Sequence, residues 1–352
     1  MRRFAVLFIL AAVWCAPLAW SQGPAHRLET LQLFGHDYVR LRDWAAANDF
    51  QMRWAARDKE VELSDSHGRR VRFTANSAEA EINNVKFWLS HPVALAGGVV
   101  CVSRLDLQTT LQSLMFPPKN APGQKVKLVV LDPGHGGKDA GNRIGSQTEK
   151  KFTLLLAFEI REQLKKSGVK VALTRSTDTF VDLPARPAKA QRLGADLFVS
   201  LHFNASEEDR NNVQGSEVYC LTPVGASSTN TRGEGANAPW TTGNRNDEKN
   251  VLLAWHLQHA LLHNLDVEDR GVRRARFAVL RDALMPAALI EGGFMSHPVE
   301  GRKIFDATYR HQMAAAIANG ILAYKRQVES ADNSKPETTN SKLETRNPKL
   351  RG

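Results

Sequence analysis

The spacing of apolar residues changes about a third of the way along the chain. Before residue 118 it marks short elements. Tyr38–Leu41 leads into a helical segment, 42-RDWAAANDF-50. Then 51-QMRWAARDKEVELSD-65 and 69-RRVRFTA-75 alternate apolar and polar residues around Asp58-Lys59 and Ser66-His67-Gly68 turns. The stretch 79–111 repeats the theme, with an Asn83-Asn84 turn, a Gly97-Gly98 turn, a strand and a helix. This predicts a small α+β domain over 28–116. The segment 116-FPPKNAPGQK-125, with three prolines and a glycine, predicts a linker over 117–125.

From there on, apolar runs alternate with helical periodicity. Strands are expected at 125–132, 169–175, 196–204, 214–222, 277–282 and 287–294. Helices are expected at 151–167, 186–193, 249–265 and 307–324, the first two ended by Gly168 and Gly194. The alternation predicts an α/β domain over 126–325, a mostly parallel sheet flanked by helices. In such sheets chemistry gathers beyond the carboxyl ends of the strands.

The two ends stand apart from this pattern. Residues 1–21 read as a secretory signal peptide: Met1-Arg2-Arg3, an apolar run 4–20, then Ala19-Trp20-Ser21 before Gln22. The protein is expected to be exported, periplasmic or extracellular, with no stable membrane span after cleavage. Residues 326–352 are polar and aperiodic and read as a disordered tail. The 352 residues carry a formal charge of +10, which falls to +8 once Arg2 and Arg3 leave with the signal peptide. That surplus suits anionic cell-wall polymers or simply solubility, and no dense Lys/Arg run argues for nucleic acid. Cys101 and Cys220 could pair in an oxidising compartment, but they fall in different expected domains and read rather as two separate buried thiols.

Candidate chemistry collects at strand ends. His135 lies in 128-LVVLDPGHGGKDAGNRIG-145, just past a strand. His202 ends "D-L-F-V-S-L-H-F-N", Glu291 ends "A-A-L-I-E", and Glu149 precedes a helix. Two imidazoles and a carboxylate can hold a catalytic zinc, with a further carboxylate as acid or base. Each residue also has a plain reading. His202 can be a buried histidine, His135 incidental in its loop, and Glu149 a favourable charge at a helix start. Glu291 is harder to dismiss, because a carboxylate after an apolar run is costly to bury unless paired or used. The loop is not a phosphate cradle, since no Gly-Lys-Ser/Thr follows. His256, His259 and His263 share one side of a helix and read as a polar face.

Seven segments in order carry a family resemblance: "V-V-L-D-P-G-H-G-G-K-D-A-G", "T-E-K-K", "L-T-R-S-T-D-T-F-V-D-L-P-A-R", "G-A-D-L-F-V-S-L-H-F-N-A", "G-S-E-V-Y", "D-R-G-V-R-R-A-R-F-A-V-L-R" and "M-P-A-A-L-I-E-G-G-F-M-S-H-P". Over about 126–324 the chain resembles the zinc-dependent N-acetylmuramoyl-L-alanine amidases. The resemblance implies one Zn2+ held by His135, Glu149 and His202, with Glu291 as the catalytic glutamate. It also implies supporting places for Asp132 and Asn204 and a structural Arg186. It implies peptidoglycan as the partner, cut between the muramoyl lactyl group and L-alanine in wall remodelling and daughter-cell separation, and it admits a protein activator. The alternatives are an inactive peptidoglycan-binding homologue or a zinc hydrolase of another amide. Two departures are Ala190-Gln191, where an Ala-Asn pair is usual, and Ser296-His297-Pro298, where Ser-Asn-Pro is frequent. The region 28–116 loosely resembles the copper amine oxidase N-terminal-like module, which implies targeting or spacing. The Gly/Asn/Thr-rich insertion 223–249 is expected to be a mobile rim or lid, with Trp240 against glycan.

Overall fold

The computed structural model describes residues 28–230 and 239–330. The expected signal peptide, and the expected tail beyond Ser330, lie outside the described residues.

The first part of the chain is built from short strands. β1 (Thr30–Leu33), β2 (His36–Arg40), β8 (Ala94–Ala96) and β9 (Val99–Ser103) form an antiparallel sheet in the order β1-β2-β9-β8. α1 (Leu41–Ala47) follows β2, as its sequence suggests. β3 (Gln51–Ala56), β4 (Glu60–Ser64), β5 (Arg70–Thr74), β6 (Glu79–Ile82) and β7 (Val85–Trp88) form an antiparallel meander. A helical stretch, α2 (Arg104–Asp106) to α3 (Gln112–Met115), ends this part. The expected linker carries no helix or strand, but it is tied down. The Asn120 amide donates to the Val328 carbonyl at 2.8 Å, and Lys249 Nζ donates to Asn120 Oδ1 at 2.7 Å.

The second part begins with β10 (Leu128–Pro133), a small hairpin of β11 (Arg143–Ile144) and β12 (Gln147–Thr148), and α4 (Glu149–Lys166). Then follow β13 (Lys170–Leu173), α5 (Ala185–Arg192), β14 (Leu197–Asn204), β15 (Ser216–Leu221), α6 (Asp247–Asn264), β16 (Asp269–Ala275), α7 (Ala278–Arg281), β17 (Ala287–Phe294), α8 (Glu300–Phe305) and α9 (Ala307–Glu329). β13, β10, β14 and β17 run parallel; β15 opposes β17, and β16 runs parallel to β15. The sheet does not end there. Val272 of β16 pairs with Phe87 of β7, so the meander continues it to eleven strands, β13-β10-β14-β17-β15-β16-β7-β6-β5-β4-β3.

Strand side chains alternate between faces, and here both faces are covered. Val129, Leu131, Val199, Leu201, Ala288 and Ile290 join a core with α4, α6 and α9, and that core runs on into Val61, Phe73 and Phe87 of the first part. Val130, Phe198, Ala287 and Leu289 point the other way, into a second core with Ala190 of α5 and Val279 and Leu280 of α7.

Several sequence expectations need correction. The expected strand at 277–282 is α7, and the strand of that region is β16, seven residues with three arginines. A short apolar run such as Phe277–Leu280 suits either state, and tertiary packing decided for helix. α6 starts at Asp247, two residues early. α9 continues through Arg326 to Glu329, into the expected tail, because Val328 is buried and Lys325 pairs with Glu329 at 2.5 Å. Cys101 and Cys220 are both buried and free.

Candidate metal centre

β10 delivers its loop to the carboxyl end of the parallel strands under tight constraint. Asp132 is fully buried there and accepts hydrogen bonds from Thr174, from Ser200 Oγ at 2.8 Å and from Arg186 Nη1 at 2.9 Å. Arg186, also buried, donates onward to the carbonyl of His135 at 2.9 Å, and Arg175 Nη2 donates to the carbonyl of Gly134 at 2.8 Å. These bonds hold His135 at φ +61°, a left-handed state that costs a non-glycine residue roughly 1 kcal/mol. Gly134 is glycine for another reason. A Cβ there would lie 2.3 Å from Cε1 of His202.

Three side chains converge. His135 Nε2 lies 3.0 Å and His202 Nδ1 2.9 Å from the same oxygen, Oε1 of Glu149. The ligand atoms of all three residues lie within 4.8 Å of one another. Glu149 is the first residue of α4 and is buried. Burial opposes its ionisation, but hydrogen bonds from His135 and His202 outweigh that and hold the carboxyl well below its ordinary range. Its oxygens also accept the Phe203 amide at 3.1 Å and the Asn142 amide at 2.9 Å. On the far side of His135, Nδ1 meets Asp139 Oδ2 at 2.8 Å. A carboxylate behind Nδ1 is the usual outer partner of a metal-binding imidazole, and with a metal bound it would hold the Nδ1 proton and leave the Nε2 lone pair for the ion.

Glu291 sits beside this cluster. It is the register partner of His202 across β14 and β17. Its Oε2 is buried without a hydrogen-bond partner among the described residues. Burial first, then the charges of Glu149 and Glu217, push its carboxyl well above the ordinary range. The donor set, two imidazoles and a carboxylate, fits zinc and is the one such group among the described residues.

The four principal expected residues are therefore brought together. Asp132 supports the His135 loop from below. Asn204 lies one step away and donates to Glu217 Oε1 at 2.9 Å, not to the three-residue cluster. Sequence reasoning passed over Asp139, Arg175 and Glu217. Glu217, in "G-S-E-V-Y", carried the same signal as Glu291: a carboxylate inside an apolar strand. The departure at His297 is structural, its Nε2 meeting the Asn211 carbonyl at 3.1 Å.

The expected rim needs correction. β15 runs antiparallel to β17, with Glu217 opposite Glu291, so Leu221 leaves at the opposite end of the sheet. The described flanks of the insertion stay there: the Thr229 amide donates to the Arg274 carbonyl at 2.8 Å, and Asn250 Oδ1 accepts the amide of Ala287, the first residue of β17, at 2.8 Å. Trp240 lies beside the Arg245 guanidinium, 5.5 Å away. Residues 231–238 of the expected lid lie outside the described residues.

A family profile described as N-acetylmuramoyl-L-alanine amidase matches residues 129–323, more than half of the chain. The chain belongs to the N-acetylmuramoyl-L-alanine amidase family. It is thus an enzyme, a peptidoglycan amidase. N-acetylmuramoyl-L-alanine amidase AmiA of Escherichia coli K12 is 33% identical over 258 residues, 66% of this chain and 87% of that protein. LytC, the amidase of Bacillus subtilis 168, is 33% identical over 200 residues, 57% of this chain and 36% of that protein. Among solved structures, amidase AmiC2 of Nostoc punctiforme is 35% identical, with 57% of this chain and 98% of that one covered and a TM-score of 0.48. Among the described residues no helix is long and apolar enough to cross a membrane.

Proposed function

We propose that this amidase cuts the amide between the muramoyl lactyl group and L-alanine, with zinc held by His135, Glu149 and His202 and the proton carried by Glu291. The observation that carries this reading is the closeness of three ligand atoms, within 4.8 Å of one another, with one of their residues, His202, the strand partner of Glu291, whose Oε2 has no partner among the described residues. When bound there, zinc supplies Lewis acidity toward the carbonyl oxygen and toward a water. Glu291 Oε2 accepts the proton of the attacking water and returns it to the leaving nitrogen of alanine. Arg186, Arg175 and Asp132 hold His135 in place, and Asp139 keeps its Nδ1 protonated. The products are a free lactyl carboxylate and a stem peptide with a free amino terminus. We place the reaction outside the cytoplasm, as the expected signal peptide and the wall substrate require, in wall remodelling and cell separation. Residues 28–116 serve as an accessory region on this reading.

The test is mass spectrometry of muropeptides treated with purified protein, with elemental analysis of the same sample. The expected products gain one water at the lactyl amide, and zinc is present at one per chain. Glu291→Ala is expected to keep zinc and lose cleavage by about 10³-fold. Zinc-loaded Glu291→Ala that cuts as fast as the parent would sink the assignment of Glu291. Cleavage elsewhere in the muropeptide would favour another amide, and zinc binding without cleavage an inactive binding homologue.

A further inference from the structure

Glu217 is a further carboxylate at the same end of the sheet. It lies on β15 directly opposite Glu291 on β17 and is buried. Like charges opposed across neighbouring strands destabilise each other. Four groups converge on Glu217. Oε1 accepts from Asn204 Nδ2 and from the Tyr219 hydroxyl, each at 2.9 Å. Oε2 pairs with Arg270 Nε at 3.1 Å and Arg273 Nε at 2.8 Å.

Both arginines come from β16. Three positions apart on a regular strand, they would face opposite sides. The register between β15 and β16 shifts between Ser216 and Glu217, where Gly271 takes φ +89°. Such a bulge re-aims side chains, and here it turns both guanidinium groups onto Glu217. The first part of the chain packs on that bulge. A Cβ on Gly271 would lie 2.8 Å from the Lys86 carbonyl oxygen. The Lys86 amide donates to Asp269 Oδ2 at 2.7 Å, and Trp88 Nε1 donates to the Arg270 carbonyl at 3.1 Å. The Arg273 guanidinium rests on the Trp88 ring, 4.7 Å from its centroid.

We propose that residues 28–116 act on the reaction through this bulge: β7 keeps Arg270 and Arg273 aimed at Glu217, and the two arginines are positioning residues that offset the Glu217 charge and so leave the Glu291 carboxylate in place. The proposal rests on Glu291 as the proton carrier. It gives the accessory region a part in turnover as well as in any targeting.

The experiment is a cycle of Arg273→Gln, Glu217→Gln and the double variant, with kcat and KM on soluble muropeptides, zinc content and Tm measured for each. Arg273→Gln is expected to lower kcat about tenfold, a barrier increase of about 1.4 kcal/mol, with KM and zinc content unchanged. The double variant, with no carboxylate left to repel Glu291, is expected to recover to within about threefold of the parent. A purely structural role for Arg273 predicts the reverse, two losses that add. Arg273→Lys keeps the charge over Trp88 and is expected to retain kcat within about threefold, which holds the question open to measurement if Arg273→Gln folds poorly. Parental kcat in Arg273→Gln, or a double variant no faster than Arg273→Gln, would overturn the proposal. A parent protein that binds zinc but cuts no muropeptide would instead overturn the assigned reaction.

Discussion

The molecule has two groups of histidines, and they behave in opposite ways. His256, His259 and His263 follow one another along α6 at the spacing of a metal ladder, and their rings are ordered: His259 stacks on Trp255 at 4.9 Å and on His263 at 6.1 Å. His135 and His202 are 67 positions apart in sequence, yet their rings meet edge to face at 4.9 Å. The difference lies in the partners. The distant pair shares the Glu149 carboxylate, and His135 has Asp139 behind it, so its ring is pushed toward holding a proton even though burial opposes this. The ladder has neighbours of the wrong sign. His256 is pushed down to about 4, by burial first and then by His259 and Arg326. Ring spacing does not make a metal site; a carboxylate from another element does. One detail of the expected polar face also changes, because only His259 and His263 are exposed while His256 is half-buried against Tyr324.

The most severe way to break this comparison is to remove one ring from each group. His202→Ala is expected to lose zinc and to cut muropeptides about 10³-fold more slowly. His259→Ala is expected to leave both unchanged, within experimental error. Matched losses in elemental analysis and turnover would mean that the ladder, too, holds the functional metal. A smaller effect is expected from Gly134→Ala, which adds one carbon 2.3 Å from the His202 ring without replacing any of the ligand residues. The ring or the loop must shift, and zinc affinity should fall about 10- to 100-fold, the range for loss of outer support. Chelator competition measures it; parental affinity would show that the loop has slack the structure does not suggest.

What the sequence made legible follows from where each signal lies. β10, α4, β14 and β17 are strongly periodic segments and appear close to their expected bounds, and α9 starts at its expected residue. His135, Glu149, His202 and Glu291 were legible because seven motifs stand in order, not because their spacing dictates a site. β16 was hidden, since "D-R-G-V-R-R-A" reads as polar. Its arginines become strand residues only through partners far off in sequence: Glu217 for Arg270 and Arg273, and Thr110 Oγ1, 2.7 Å from Arg274 Nη2. The direction of β15 was equally hidden. A reversed neighbour of β17 sends the next loop to the far end of the sheet, and no local pattern in residues 214–222 reports that reversal. The requirement for glycine at 134 was hidden too, because it comes from a ring that arrives on another strand.

The smallest expected effect concerns the ladder alone and sharpens what its burial does. With a folded value near 4 against an ordinary 6.5, His256 is neutral in the folded chain while the unfolded chain takes up a proton. The unfolded state therefore binds more protons between those values, and stability falls as pH drops from about 6.5 to about 4. Above that window His256 contributes no pH dependence. Its Nε2 is also buried with no hydrogen-bond partner among the described residues, so the ring offers the fold little beyond its volume. His256→Phe keeps the ring against Tyr324 and removes the titration. Allowing for partial solvent contact, it should gain about 1–2 kcal/mol on the parent at pH 4.5 relative to pH 7.5, with zinc content and cleavage at pH 7.5 unchanged. Urea unfolding of the two proteins at both pH values measures the difference. Parallel losses on acidification would place the acid sensitivity in other groups and leave His256 as a bystander in its helix.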